Sequence, residues 1–398
     1  MRWIAAVSAL LIGLGGFMPW IEAPLSGGVP VAGLRWIAAV LGVLSGVAWC
    51  YGSGRSGAVC GVAGLGLCTF LVLHLTFGDP LFWKLVDENE QYAQMMAFSA
   101  RFLPGNFGSE PMFQPALSTE SVLDRLATAA YFMSYGWWTC LLGSVLLLAG
   151  SLTVGGWRSV RWVVATFLVI FGSLGLIFFK GFVAQHLQAQ GDEDLGRGRF
   201  AEAIQRYQAA QELDPQLLKH ERVHLRLGEA YDRLGMASHP SVHFYRGDFY
   251  SQQGDWEAAV VAYRLSAREA SGPLADVLKR RTARAYVAMG LAQYRQENTG
   301  HAVALWEKAA TFEPDQLLTT YFLTKAYFDQ GRYEQSITMG RLLLARSRNQ
   351  LVNANVHANI GDDYWRLRDY SSARNAYQAS LQLDPFANFR IIKSLGGT

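Results

Sequence analysis

Four of the eight histidines in this 398-residue chain fall within 24 positions. His220-Glu221-Arg222-Val223-His224 sets two imidazoles at i and i+4, on one face of a helix, with a carboxylate beside the first. Such a pair can share a zinc ion while the Glu serves as general base toward a metal-bound water. His239 and His243 repeat the i, i+4 spacing a little further on. A third ligand is not obvious, because Glu229 stands too close to His224. Two readings stay open: a metal-dependent hydrolase or metal-binding protein that uses His220, Glu221 and His224, and histidines that pack or face solvent. The second is preferred, and no metal ligand is assigned.

Gly52-Ser53-Gly54-Arg55-Ser56-Gly57 fits the glycine pattern of dinucleotide-binding turns. That chemistry needs a strand before it and a helix after it in a βαβ unit. Here the glycines make a short turn between two apolar runs. No phosphate-binding loop or nucleophile elbow occurs either. No catalytic residue and no cofactor is therefore assigned, and a non-enzymatic chain is expected.

The elements that carry these residues divide into two physical classes. The chain is 51% hydrophobic and 17% charged, below the ~25% charged of a typical soluble domain. Residues 1–183 hold 9 Lys+Arg and 8 Asp+Glu, and residues 184–398 hold the other 26 and 24. All four cysteines, Cys50, Cys60, Cys68 and Cys140, lie in the first part. The net charge of +3 is spread without a basic run, which excludes an electrostatic nucleic-acid footprint.

Residues 1–183 read as an all-α membrane domain. A bilayer span needs about 20 mostly apolar residues. Five stretches qualify: 3–21, 33–51, 57–77, 131–151 and 160–180. Arg2, Arg35, Arg161 and Lys180 lie at their ends, as do Trp3, Trp20, Trp36, Trp137, Trp138 and Trp162, where an interfacial aromatic belt would put them. No small-residue cleavage site precedes Glu22, so the first stretch is expected to remain as a span. Gly42-x-x-x-Gly46 and Gly57-x-x-x-Gly61 predict close helix crossings. No span carries an interior Asp, Glu, Lys or Arg, so an ion path is not expected.

A loop at 78–130 separates spans three and four. Asp79-Pro80 is a helix start, and Leu81, Phe82, Leu85, Tyr92, Met95, Met96 and Phe98 follow, interrupted by Asp87, Glu88 and Glu90. The segment suits an amphipathic helix at a membrane surface or a partner-binding face. Ser118-Thr119-Glu120 is expected to cap a helix that runs into span four. Lys and Arg in the short loops lean slightly toward an inside N-terminus. Five spans then place residues 184–398 outside, in the periplasm of a bacterium, with the first part in its cytoplasmic membrane.

Residues 184–398 show self-similarity at about 34 residues, each unit reading as two short helices. One unit has Leu187, Gly191, Gly198, Ala203, Tyr207, Ala210 and Leu213-Asp214-Pro215. Others have Gly247, Tyr250, Gly254, Ala259 and Tyr263, then Tyr286, Gly290, Ala302, Trp306, Ala309 and Pro314, then Leu323, Tyr327, Gly331, Ser336 and Leu343. The last has Ile360, Gly361, Tyr364, Ala373, Tyr377, Ser380 and Leu383-Asp384-Pro385. One junction is irregular. Residues 219–235 read as a first helix, but Met236-Ala237-Ser238-His239-Pro240 leads straight into the first helix of the next unit, or into a segment that serves two neighbours. His224 sits there where a packing residue is wanted, four before Gly228.

These units resemble the tetratricopeptide repeat (TPR). The resemblance covers just over half the chain and implies an α-solenoid of five to six helix pairs, with the first helices lining a concave face. Projecting those helices places Arg222, Asp232, Asp248, Arg284, Tyr294, Tyr321, Lys325, Phe328, Asn355, Asp362 and Trp365 in a partner-binding groove. The mixture of charge and aromatic surface suits a protein or peptide. It lacks the Lys/Asn-rich pattern of family members that clamp C-terminal carboxylates. The expected function is a membrane-anchored scaffold that holds a protein partner, as an assembly factor or an accessory subunit of a larger membrane complex.

Overall fold

The computed structural model describes residues 2–15, 18–23, 25, 27–29, 37–44, 54–76, 80–102, 122–219 and 221–384. Among the described residues the chain is all-α apart from one small hairpin, and it forms two compact units: Met1–Asn89 with Ala116–Val183, and Glu90–Pro115 with Ala184–Thr398.

The first unit opens with helix α1 (Arg2–Gly15). A two-stranded antiparallel hairpin follows, β1 (Ile21–Ala23) and β2 (Gly27–Val29), and then α2 (residues 37–44). Helices α3 (Gly54–Thr76), α4 (Pro80–Phe102), α5 (Val122–Tyr131) and α6 (Tyr135–Gly196) complete it, with α4 and α6 continuing into the second unit. Its core gathers Ile12, Trp20, Cys68, Leu71, Phe82, Leu85, Phe132 and Trp137. The expected close crossings are present in part. A Cβ on Gly42 would stand 2.6 Å from the Gly13 backbone, and one on Gly61 would stand 3.0 Å from the Ser144 carbonyl. Gly46 lies outside the described residues.

Five separate spans were expected. Among the described residues, three helical stretches are long and apolar enough to cross a membrane: Ala58–Thr76, Tyr135–Thr153 and Val160–Gly196. The last two lie on one unbroken helix, α6, of 62 residues. No proline falls between Pro115 and Pro215, so only glycines mark the expected break. Each glycine costs a helix about 1 kcal/mol, where a proline costs about 3. The apolar helix nearest the N-terminus, Ala6–Gly15, is shorter than a span, and much of 33–51 lies outside the described residues.

Two further expectations are corrected. The helix before span four does not run into it, because the chain bends at residues 132–134 between α5 and α6. There Ser134 N–H donates to Trp20 O (2.9 Å), Gly136 N–H donates to Pro19 O (2.9 Å), and Met133 bridges Ile21. These backbone bonds to the hairpin region replace the helical ones. The Trp residues also split. Trp138 and Trp162 are exposed, as a belt requires, but Trp20 and Trp137 are buried. Their indole N–H groups donate to Gly15 O (2.8 Å) and Cys68 O (3.1 Å), which removes the need for an interface.

The second unit begins where α6 passes Ala184. Its helices are α7 (Phe200–Leu213), α8 (Glu221–Arg233), α9 (Pro240–Gln252), α10 (Trp256–Glu269), α11 (Pro273–Arg295), α12 (Thr299–Phe312), α13 (Leu317–Asp329), α14 (Tyr333–Arg346), α15 (Gln350–Arg366) and α16 (Tyr370–Leu383). Starts are set locally. Asp255, Asn349 and Asp369 accept N–H bonds from Ala258, Val352 and Ser372 as N-caps, and Pro240 and Pro273 open α9 and α11.

One seam recurs through the array. A glycine on the first helix leaves room for an aromatic ring from the second: Gly191 for Tyr207, Gly247 for Tyr263, Gly290 for Trp306 and Gly361 for Tyr377. A Cβ at Gly191 would lie 2.8 Å from the Tyr207 ring. Tyr207, Tyr263, Trp306 and Tyr377 are all at most 3% exposed, so burial of these rings drives the pairing of the helices. Serines pin the same pairs. Ser266 Oγ donates to Pro240 O and Ser380 Oγ donates to Ala354 O, each at 2.7 Å. At the irregular junction α9 does serve two neighbours. Its Ser241 and Tyr245 crowd Gly228 of α8, and its Gly247 takes the Tyr263 ring of α10.

Candidate partner-binding surface

The eleven residues projected into a groove fall into three groups. Four join helices of the array to one another. Arg222 pairs with Asp192 (2.9 Å), Asp232 with Arg246 (2.6 Å), and Asp248 with Arg281 (3.2 Å). Asp362 accepts from the Tyr377 hydroxyl (2.7 Å), and Asp192 accepts in the same way from Tyr207 (2.7 Å), both pairs 15 positions apart. At these two seams the acid that follows the glycine holds the ring hydroxyl. Asp248 is itself buried among these contacts.

A second group lies toward the C-terminal end of the array. Lys325 pairs with Asp329 (2.5 Å) and stands 4.8 Å above the Phe328 ring. Asn355 is half-buried on α15. Trp365 is 47% exposed and meets the 55% exposed Tyr370 edge-on at 4.9 Å. Large exposed aromatics of this kind are the side chains that anchor protein interfaces.

Arg284, Tyr294 and Tyr321 form the third group, and all three touch one segment, the end of α4. Arg284 pairs with Glu90 (3.4 Å). The Phe98 ring lies 5.6 Å from Tyr294, 6.2 Å from Tyr321 and 4.6 Å from Phe322. Leu318 N–H donates to Gln91 Oε1 (3.3 Å). Tyr294 also donates to Asp329, and burial, with that carboxylate second, pushes its phenol pKa upward. Sequence projection missed Phe322, Gln91 and Phe98 as members of this group. The Gln91, Met95, Phe98 spacing of i, i+4, i+7 was the available signal.

Two charged sites were also missed. Arg281 stands between Asp248 and Glu221, 2.7 Å from the latter. Asp363 is fully buried, and one of its oxygens accepts from Ser336 Oγ (2.7 Å). Burial pushes its carboxyl up to about 7, an effect that Asp362 and Glu334 support and Ser336 and Lys325 oppose. Tyr327 is pushed up to about 12 by burial and by the Glu307 carboxylate it donates to (2.8 Å).

The histidines are dispersed over different roles. His224 is buried, and its Nε2 lies 2.7 Å from Leu218 O, so that nitrogen carries a proton and donates. Burial lowers its pKa. His239 caps α9 by accepting from Ser241 N–H (3.2 Å) and stacks on Tyr231 at 4.0 Å. Glu221, the would-be general base, is committed to Arg281. His220 lies outside the described residues. Among the described residues no group of three or more His, Cys, Asp or Glu side chains converges as a metal site. The glycine-rich turn is helical from Gly54 onward.

Residues 189–237 and 354–387 each match the tetratricopeptide repeat in sequence. No curated protein sequence matches the chain. Solved structures with a similar array include the MamA protein (16% identity, 55% of this chain and 97% of that one, TM-score 0.27). PilF of Pseudomonas aeruginosa is another (16% identity, 53% and 98%, TM-score 0.32). A third is YrrB, described as a TPR protein with an unusual peptide-binding site (10% identity, 53% and 91%, TM-score 0.27). The array therefore carries tetratricopeptide repeats at residues 189–237 and 354–387, and the glycine-to-ring seam continues between them.

Proposed function

We propose that the chain is a non-enzymatic scaffold, held at a membrane by its apolar helices, that captures a protein partner on the repeat array. The observation that carries this reading is the exposed Trp365–Tyr370 pair, with Asn355 on the same helix as Trp365 and Lys325 on the preceding first helix. Stacked helix pairs supply an extended surface without a built catalytic cavity, and function then follows from what that surface binds. The strongly exposed apolar side chains of α6 support the membrane part. Leu168, Val169 and Leu176 are each at least 65% exposed, a surface water would not favour. An accessory or assembly role in a larger membrane complex fits both, with the repeats on the periplasmic side of a bacterial inner membrane.

The test is affinity purification of the tagged full-length protein in mild detergent. Wild type is expected to bring down a stoichiometric partner. Lys325→Ala, Asn355→Ala and Trp365→Ala together are expected to lose it while helix content stays unchanged. Retention of the partner by the triple variant would remove this surface from the proposal. A reporter fused after residue 384 would read the side of the membrane.

A further inference from the structure

We propose that the end of α4, from Glu90 to Phe98, is a tethered ligand of the repeat array and fills in cis the face that an amphipathic partner helix would take. The inference rests on the scaffold reading and deepens it, because it says what kind of partner fits and what it must displace.

Three features of the contact are those of helix-in-groove recognition. The segment presents Gln91, Met95 and Phe98 at i, i+4 and i+7, one stripe of a helix. Met95 is fully buried and Phe98 is 6% exposed, although the intervening Ala93, Gln94 and Ala97 are exposed. The Phe98 ring sits among Tyr294, Tyr321 and Phe322, aromatics from two successive repeats, so the receiving face is made only once the repeats have stacked.

The polar contacts add orientation. Helix α13 begins without a side-chain cap of its own, because Gln316 makes no capping bond. The first N–H groups of a helix need an outside acceptor. Gln91 Oε1 supplies one to Leu318 N–H from 227 positions away. Glu90, one residue earlier, meets Arg284 of α11 at 3.4 Å. This pair is half in solvent and fixes register more than it adds affinity. An acid, an amide acceptor and a Phe in this order thus meet the face in three places, with a buried Met between the last two. A competing partner is a helix of the same pattern: acidic or amide residues followed, four and seven positions on, by large flexible and aromatic side chains.

A tethered ligand lowers the apparent affinity of any competitor by the fraction of molecules whose face is vacant. The experiment uses full-length protein in detergent and a fluorescein-labelled peptide of residues 86–102, with binding read by anisotropy. The double variant Met95→Ala/Phe98→Ala, which loosens the resident segment, is expected to bind the peptide at least ~10-fold more tightly than wild type does. Glu90→Arg, an exposed substitution with little folding risk, is expected to shift binding the same way by a smaller factor. Adding Arg284→Glu to the double variant is expected to weaken the native peptide and to favour a peptide carrying Glu90→Arg. Equal binding to wild type and to both loosened variants, or binding to none of them, would overturn the inference. No step needs the natural partner. Peptide exchange without any captured partner would therefore count against the scaffold reading while leaving the tethered ligand standing.

Discussion

Glycine does opposite work in the two units. In the apolar unit, Gly42 and Gly61 bring backbone to backbone, against Gly13 and the Ser144 carbonyl. In the repeat array four seam glycines bring backbone to ring, at Tyr207, Tyr263, Trp306 and Tyr377, while Gly228 meets the Ser241 backbone. The difference follows from what drives each association. In the membrane setting proposed above, the surroundings would be as apolar as the side chains, burying a ring would gain little, and close packing of the backbones would remain. In water, burying a ring is the main gain, and the glycine exists to admit it.

The largest test of that contrast removes a ring. Tyr377→Ala is expected to destabilise the last repeat by about 3–5 kcal/mol, read as a lower thermal midpoint by circular dichroism. Gly61→Ala, which adds one methyl to a backbone crossing, is expected to cost only about 1–3 kcal/mol. Equal losses would erase the distinction. Tyr207→Ala should sit near the Tyr377 value, because both hydroxyls are held by the acid after the seam glycine.

An intermediate effect concerns Asp363, which occupies the array interior where the seam acids Asp192 and Asp362 stand at its edge. A carboxyl that keeps its proton up to about pH 7 when folded releases it near pH 4 when unfolded. Between these values the folded chain holds more protons, so stability falls as pH rises, by at most about 1.4 kcal/mol per pH unit from this group. Above pH 7 the loss is complete. Denaturant midpoints of Asp363→Asn across pH 4–8 are expected to lack this slope. A slope identical to wild type would assign it to other groups.

The smallest effect lies in the turns. Gly198 and Gly331 hold a left-handed backbone (φ 77° and 73°) between paired helices, and Glu297 and Arg368 hold the same conformation (both φ 64°) without being glycine. Glu297→Gly is expected to stabilise by up to about 1 kcal/mol, since the relieved strain exceeds the added unfolded-state freedom. A lower thermal midpoint would show that the turn is not strained.

The repeat architecture was legible because each seam is local. Gly361 and Tyr377 lie in adjacent helices, and the same pattern returns unit after unit. Even the shared helix α9 left a trace, a first-helix pattern followed too soon by Pro240. The groove was less legible. Projection onto helix faces named Asp248 and Asp362 as open surface, yet both are spent on holding neighbours. A helical wheel sees one helix and not the arginine or tyrosine that the next one brings. The span pattern failed for a related reason: hydropathy measures apolar length and has no term for whether two glycines bend a helix.

By itself, the sequence determined two physical classes of chain and the repeat fold of the second. These follow from composition and from periodicity over neighbouring residues. Only the tertiary structure decided that α6 runs unbroken, that Asp363 is sealed from water, and that Gln91 and Phe98 lie on α11 and α13. Gln91 and Leu318 are 227 positions apart. Contacts at that distance depend on the stacked array having formed first, and no local pattern records which surface will then be available to fill.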